Sequence, residues 1–204
     1  MDPGFESNAL DNYTTVANDF TGKQGVWGAE VGCIFTGTSV DGVTPIGSKM
    51  LGVTNAGGGA TQTVQVTDIS GIFGSGTGNA TFDMSARFTM GGNVAGGFKD
   101  GRVSVIARFF TGALYNSANT PADLGVSLTL DADPSTWEQL TLSGTIPAGT
   151  TWMITEVLYT NASIGTATGY VDDTSFTITY IPEPGSCALA ILGAGLLIGR
   201  RRRA

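Results

Sequence analysis

Residues 80–88 read Ala80-Thr81-Phe82-Asp83-Met84-Ser85-Ala86-Arg87-Phe88. Every even position is apolar and every odd position polar. A period of two places the two sets on opposite sides of an extended chain, so the stretch is a strand with one face in a core and the other toward solvent. The same parity recurs where Leu124, Val126, Leu128 and Leu130 alternate with Gly125, Ser127, Thr129 and Asp131. It recurs again at Tyr170, Asp172, Thr174, Phe176, Ile178 and Tyr180, expected on one face of a last strand, with Asp172 turned inward. Clean alternation is the pattern of antiparallel sheets. Further strands are expected over 26–35, 49–53, 61–67, 102–110, 136–143 and 150–160, separated by Gly- and Asn-rich breaks. The body carries no sustained 3.6-residue stripe and no strand–helix–strand alternation. The expected fold is therefore all-β, an antiparallel β-sandwich of eight to ten strands, with the jelly roll as its usual form.

Composition agrees and narrows the chemistry. The chain has 204 residues, 31 of them glycine, and only 13% are charged, which describes a turn-rich β protein with enough chain for one core. It has no histidine, so Ser-His-Asp hydrolysis, Cys-His proteolysis and His-ligated transition metals are excluded. Carboxylate chemistry and oxygen-ligated cations survive. The net charge of −7 combines two signals. Arg200, Arg201, Arg202 and Arg203 close the chain, and the rest sets six basic against 17 acidic residues. An acidic body of this kind repels phosphate backbones, so no nucleic-acid partner is expected. Cys33 and Cys187 have no metal-ligand spacing and lie too far apart in character to suggest a disulfide. The glycine runs at Gly57-Gly58-Gly59 and around Gly76 lack the Lys-Ser/Thr of a phosphate loop and are read as turns.

The tail is a separate unit. Pro182, Glu183 and Pro184 end the last strand, and an uncharged run starts at Cys187 and ends at Gly199, directly before the four arginines. That run has 13 residues, short of the ~20 that a spanning helix needs, and the flanking arginines extend it by snorkelling. Arginines there would stay cytoplasmic and leave the body outside. Pro-Glu-Pro, hydrophobic helix and Arg-rich end, in that order, resemble the PEP-CTERM sorting signal. The resemblance implies an exported bacterial surface or extracellular protein, recognised by the membrane enzyme exosortase, with a short C-terminal hydrophobic helix in the membrane. The same tail is also labelled an ice-binding-protein C-terminal domain, which names the tail and says nothing about ice. The division expected is 1–181 for the sandwich and 182–204 for the sorting signal. Residues 1–10 show neither a basic nor an apolar leader, so the reading frame is expected to extend upstream of Met1.

Two terminal motifs suggest which sandwich this is. The chain opens on Asp2-Pro3-Gly4-Phe5-Glu6-Ser7 and its last strand contains Gly169-Tyr170-Val171-Asp172-Asp173-Thr174-Ser175-Phe176; Trp137 precedes Glu138-Gln139-Leu140-Thr141-Leu142. Together these resemble the galactose-binding-like jelly rolls, especially carbohydrate-binding modules attached to xylanases. The resemblance implies a structural calcium at the edge where first and last strands meet, with the Gly4 carbonyl, Glu6 and Asp172 or Asp173 among its ligands; Asp41 is a further candidate. In the alternative reading, these acids only solvate a rim. Sugar stacking would fall to exposed aromatic residues, with Trp27 and Tyr115 as the candidates; Tyr13, Phe98 and Tyr159 are others, and Trp137 and Trp152 read as core. The function expected is a non-enzymatic exported protein contacting extracellular polysaccharide. A purely structural matrix or envelope protein is the alternative. A carboxylate glycosidase comes third, since Asp172 and Asp173 are neighbours on a strand and point apart.

Overall fold

The computed structural model describes residues 5–6, 10–12, 27–29, 33–37, 39, 41–54, 60–69, 80–91, 101–112, 122–131, 133–161 and 168–181. All regular structure among them is strand. In chain order these are β1 Leu10–Asn12, β2 Trp27–Ala29, β3 Cys33–Thr36, β4 Met50–Thr54, β5 Ala60–Asp68 and β6 Ala80–Met90. They continue as β7 Gly101–Thr111, β8 Ala122–Thr129, β9 Glu138–Ile146, β10 Thr150–Asn161 and β11 Thr168–Tyr180. A six-stranded sheet has the order β1-β2-β5-β10-β7-β8 and a five-stranded sheet the order β3-β4-β11-β6-β9. Pairing is antiparallel throughout except between β1 and β2. The structure is thus the expected all-β sandwich. The hydrophobic C-terminal helix expected within residues 182–204 lies outside the described residues.

The core follows from the parity of residues 80–90. Ala80, Phe82, Met84, Ala86, Phe88 and Met90 are all buried and belong to one apolar cluster with Val103, Val105, Ala107 and Phe109 of β7 and Met153, Val157 and Tyr159 of β10. Phe82 and Phe109 meet edge-on across the two sheets, centroids 5.6 Å apart at 61°, a favourable aromatic geometry. The Tyr159 ring lies over Gly169 so closely that a Cβ there would sit 2.3 Å from its Cε2, which is why that position on a buried strand carries no side chain.

Three expectations change. The strand expected over 26–35 is two strands in different sheets, β2 pairing β5 and β3 pairing β4. The first and last strands do not lie side by side, because β1 edges the six-stranded sheet while β11 sits between β4 and β6. The single face expected for β11 is broken by a bulge. Gly169 and Val171 pair with Met90 and Phe88, whereas Phe176 and Ile178 pair with Met84 and Phe82, and the register shifts between Asp172 and Ser175. Asp173 takes a left-handed φ of 47°, a conformation that aspartate tolerates better than most residues. One inserted residue reverses the parity. Val171, Phe176 and Ile178 therefore face the core. Tyr170 and Asp172 lie on the outer side of the sheet, where Tyr170 packs with Val43, Met50 and the half-buried Trp137.

Candidate functional site

Two regions carry the chemistry. The first is the outer side of the five-stranded sheet at the bulge, covered by residues 41–49. Asp172 is 1% exposed there. Its Oδ2 accepts from the Ile46 N–H at 2.8 Å and its Oδ1 from the Asp173 N–H at 2.7 Å. Glu6 reaches the same segment from the other end of the chain. Its Oε1 accepts from the N–H groups of Ser48 and Lys49 at 2.9 and 3.1 Å, its Oε2 from the Ser48 hydroxyl, and its backbone carbonyl from Lys49 Nζ. A side chain on Gly47 would collide with the Glu6 carboxylate, its Cβ 2.4 Å from Oε1. Burial pushes the Asp172 carboxyl above its usual range, with the nearby Glu6 charge adding to it and N–H donation from residues 173, 46 and 47 opposing. The Ser48 hydroxyl holds Glu6 below the usual value, against the opposing effect of burial.

Of the five residues expected to bind calcium, the structure brings Glu6 and Asp172 together. Asp41 accepts from the Tyr170 hydroxyl at 2.9 Å, and Asp173 turns out to Arg87 at 3.1 Å. Gly4 lies outside the described residues. Among the described residues no three acidic or cysteine side chains gather closely enough to hold a metal ion. The contacts of the two carboxylates are with N–H and hydroxyl donors of residues 46, 48, 49 and 173. Among the described residues, the non-glycine residues with positive φ are Phe5, Asp41 and Asp173, and all border this region.

The second region is the outer side of the six-stranded sheet. Odd residues of β10 face the core, so Trp152, Ile154, Glu156 and Leu158 lie on the other side of the sheet, opposite Phe110, Arg108, Ile106 and Ser104 of β7; Ile154, Glu156 and Phe110 are buried there, and Trp152 and Leu158 are half-buried. Trp152 was expected in the core; an irregularity in the pairing between Thr150 and Trp152 precedes it, and its ring is only half buried. Beside it Arg108 donates Nε to Glu156 Oε1 at 2.7 Å and Nη2 to Oε2 at 3.1 Å, a bidentate fork, while Nη1 reaches Asp123 Oδ2 at 2.8 Å. The Glu156 side chain is 6% exposed and Arg108 32%, so the guanidinium compensates a buried charge and is itself partly open. The sequence reading missed this set. Its signal was one glutamate inside the apolar run Trp152–Tyr159 and one arginine before Phe109 and Phe110.

The aromatic candidates separate cleanly. Trp27 is 4% exposed and packs on Phe5 at 5.4 Å, so its face is not open to a ligand. Tyr159 is likewise core. Tyr115, Tyr13 and Phe98 lie outside the described residues. Trp137 donates its Nε1 to the Thr44 carbonyl at 3.1 Å and belongs to the small outer cluster, away from the core between the sheets.

Residues 181–203 match the family profile of the PEP-CTERM protein-sorting motif. The chain ends in a PEP-CTERM sorting signal. That signal marks an exported protein handled by exosortase. No curated protein matches the chain in sequence. Among solved structures, the chain is similar to the CBM22-1–CBM22-2 tandem domain of Xyn10C from Paenibacillus barcinonensis, with 12% identity and a TM-score of 0.52 over 90% of this chain and 46% of that one. It is also similar to the CBM22-1 xylan-binding domain of the same Xyn10C (12%, 76% and 87%, 0.49) and to TmCBM61 in complex with β-1,4-galactotriose (10%, 84% and 99%, 0.48). The likeness to the tandem domain is one of fold, an antiparallel jelly-roll sandwich. No helix among the described residues is long and apolar enough to cross a membrane.

Proposed function

We propose that this PEP-CTERM protein is a non-enzymatic surface or extracellular module that holds extracellular polysaccharide on the outer side of its six-stranded sheet. The observation that carries this reading is the half-buried Trp152 beside the Arg108–Glu156–Asp123 network. A sugar offers an apolar ring face and a rim of hydroxyls. An indole face suits the first, and donors and acceptors held rigidly by a bidentate pair suit the second. A glycosidase would need two carboxyls facing one bond across roughly 5–10 Å. Asp172 is occupied by the 46–47 backbone and Asp173 by Arg87, on a different side of the chain. In this reading exosortase acts on the tail, whose hydrophobic helix holds the membrane, and the sandwich stands outside. Calcium between Glu6 and Asp172, completed by backbone oxygens including that of Gly4, would act as a staple on residues 46–49.

Isothermal titration with xylan, cellulose-derived and galactan oligosaccharides tests the reading. Wild-type protein should bind at least one, and Trp152→Ala should weaken that binding about tenfold or more while keeping its melting temperature within a few degrees. Binding to none, together with release of reducing sugar from any, would replace the reading with an enzyme. Binding to none with no release favours the structural matrix protein.

A further inference from the structure

The polar half of residues 80–88 makes a second surface on the opposite side of the sandwich. Asp83 is flanked in register by Ser143 of β9 and Thr177 of β11, and Ser85 by Thr141 and Ser175. Strand spacing of about 4.8 Å and side-chain repeats of about 6.7 Å make this a grid of hydroxyls around one carboxylate. The grid is not flat: Asp83, Ser85, Gln139, Thr141, Ser143 and Ser175, with the apolar Met84 and Leu142, line an open groove of about 300 Å³. That is the small end of ligand sites. None of these side chains bonds to another side chain among the described residues, and Asp83, Gln139, Thr141, Ser143 and Ser175 are exposed. The nearest cation on this face, Arg87, is engaged by Asp173.

We infer that this groove is a second glycan site, taking a short stretch of a neutral polysaccharide chiefly by hydrogen bonding. An ionised carboxylate accepts from two hydroxyls at once, a match for a vicinal diol, and hydroxyl and amide side chains both give and accept. The groove has no aromatic lining on which a ring could stack, and its lone negative charge disfavours anionic polymers. The inference does not rest on the Trp152 reading, since the two surfaces lie on different sheets. A chain with both would bridge two polysaccharide strands as a monomer, gaining avidity from two weak contacts.

The test is ¹H–¹⁵N NMR of the full chain titrated with xylohexaose, cellohexaose and β-1,4-galactotriose at millimolar concentration. Amides of Ser85, Thr141 and Ser175 should shift saturably with at least one probe, both in wild-type and in Trp152→Ala protein. Asp83→Ala should weaken that response about tenfold, the loss of hydrogen bonds to a charged group, and leave the shifts around Ile154 unchanged. Asp83 is exposed, and equal melting temperatures would show that the variant folds. Absence of shifts at this face with all three probes overturns the inference, as do shifts that Asp83→Ala leaves intact or shifts that follow protein dilution without sugar. Failure of the Trp152 reading is seen separately, as a silent Ile154 region.

Discussion

Asp172 and Asp173 are neighbours in sequence with opposite structural standing, and substitution should separate them. Asp172→Ala removes acceptors for the N–H groups of Ile46 and Asp173, and for that of Gly47, which also donates to this carboxylate. A buried donor left unsatisfied costs about 1–3 kcal/mol. Ile46, Gly47 and Asp173 are exposed, so water partly replaces the lost bonds and the low end applies, about 1 kcal/mol each. Removing a buried charge returns part of its desolvation cost, leaving a net loss of about 2 kcal/mol. For a domain of this size that is a fall in Tm of about 4–8 °C. Asp173→Asn loses an ion pair whose side chains are 40% and 52% exposed, worth under ~1 kcal/mol, and keeps a residue that tolerates positive φ, so its Tm should stay within about 2 °C. Both are read by calorimetry in a chelator. Equal shifts for the two variants, or no loss for Asp172→Ala, would refute the bulge assignment that puts Asp172 under residues 41–49.

Other consequences follow from the same contacts. Gly169→Ala forces a methyl into the Tyr159 ring and should cost about 1–3 kcal/mol by overpacking, visible as a lower urea midpoint. The raised Asp172 carboxyl contributes stability that is full below its unfolded value of about 3.8 and is lost as pH rises through the folded value; the lowered Glu6 contributes stability that is present above about 4.5 and lost as pH falls through its folded value. Asp172→Asn should therefore gain in Tm relative to wild type from pH 3.5 to pH 7 in a chelator, and a constant difference would contradict the shift. Calcium at 100 times its Kd should add about 2.7 kcal/mol to stability, and Glu6→Gln should abolish that gain.

Legibility from sequence tracked how local each signal was. Residues 80–88 show the alternation that the structure confirms, because that face is buried and the strand has no irregularity; in 124–130 the apolar face is graded, from the exposed Leu124 through the half-buried Val126 and Leu128 to the buried Leu130. Parity failed where a backbone irregularity intervened: at Asp173 it sends Asp172 to the outer side, and β10 sets Trp152 outward. A left-handed aspartate leaves no trace in hydropathy. Residues 26–35 read as one strand because both halves are apolar, yet they serve different sheets. Glu6 and Asp172, paired as calcium ligands through family resemblance, both bind the segment 46–49, and neither does so by strand adjacency. Arg108, Glu156 and Asp123 converge from β7, β10 and β8, a relation that needs the strand order and cannot be read from spacing.

The central claim is polysaccharide binding on the outer side of the six-stranded sheet. Titration of wild-type, Trp152→Ala and Arg108→Met proteins with xylan, cellulose-derived and galactan oligosaccharides, followed at the amides of Trp152, Ile154 and Glu156, tests it directly. Saturable shifts there with at least one glycan, and their loss in both variants, are expected. Wild-type binding that leaves these amides unmoved, or that both variants retain undiminished, would contradict it.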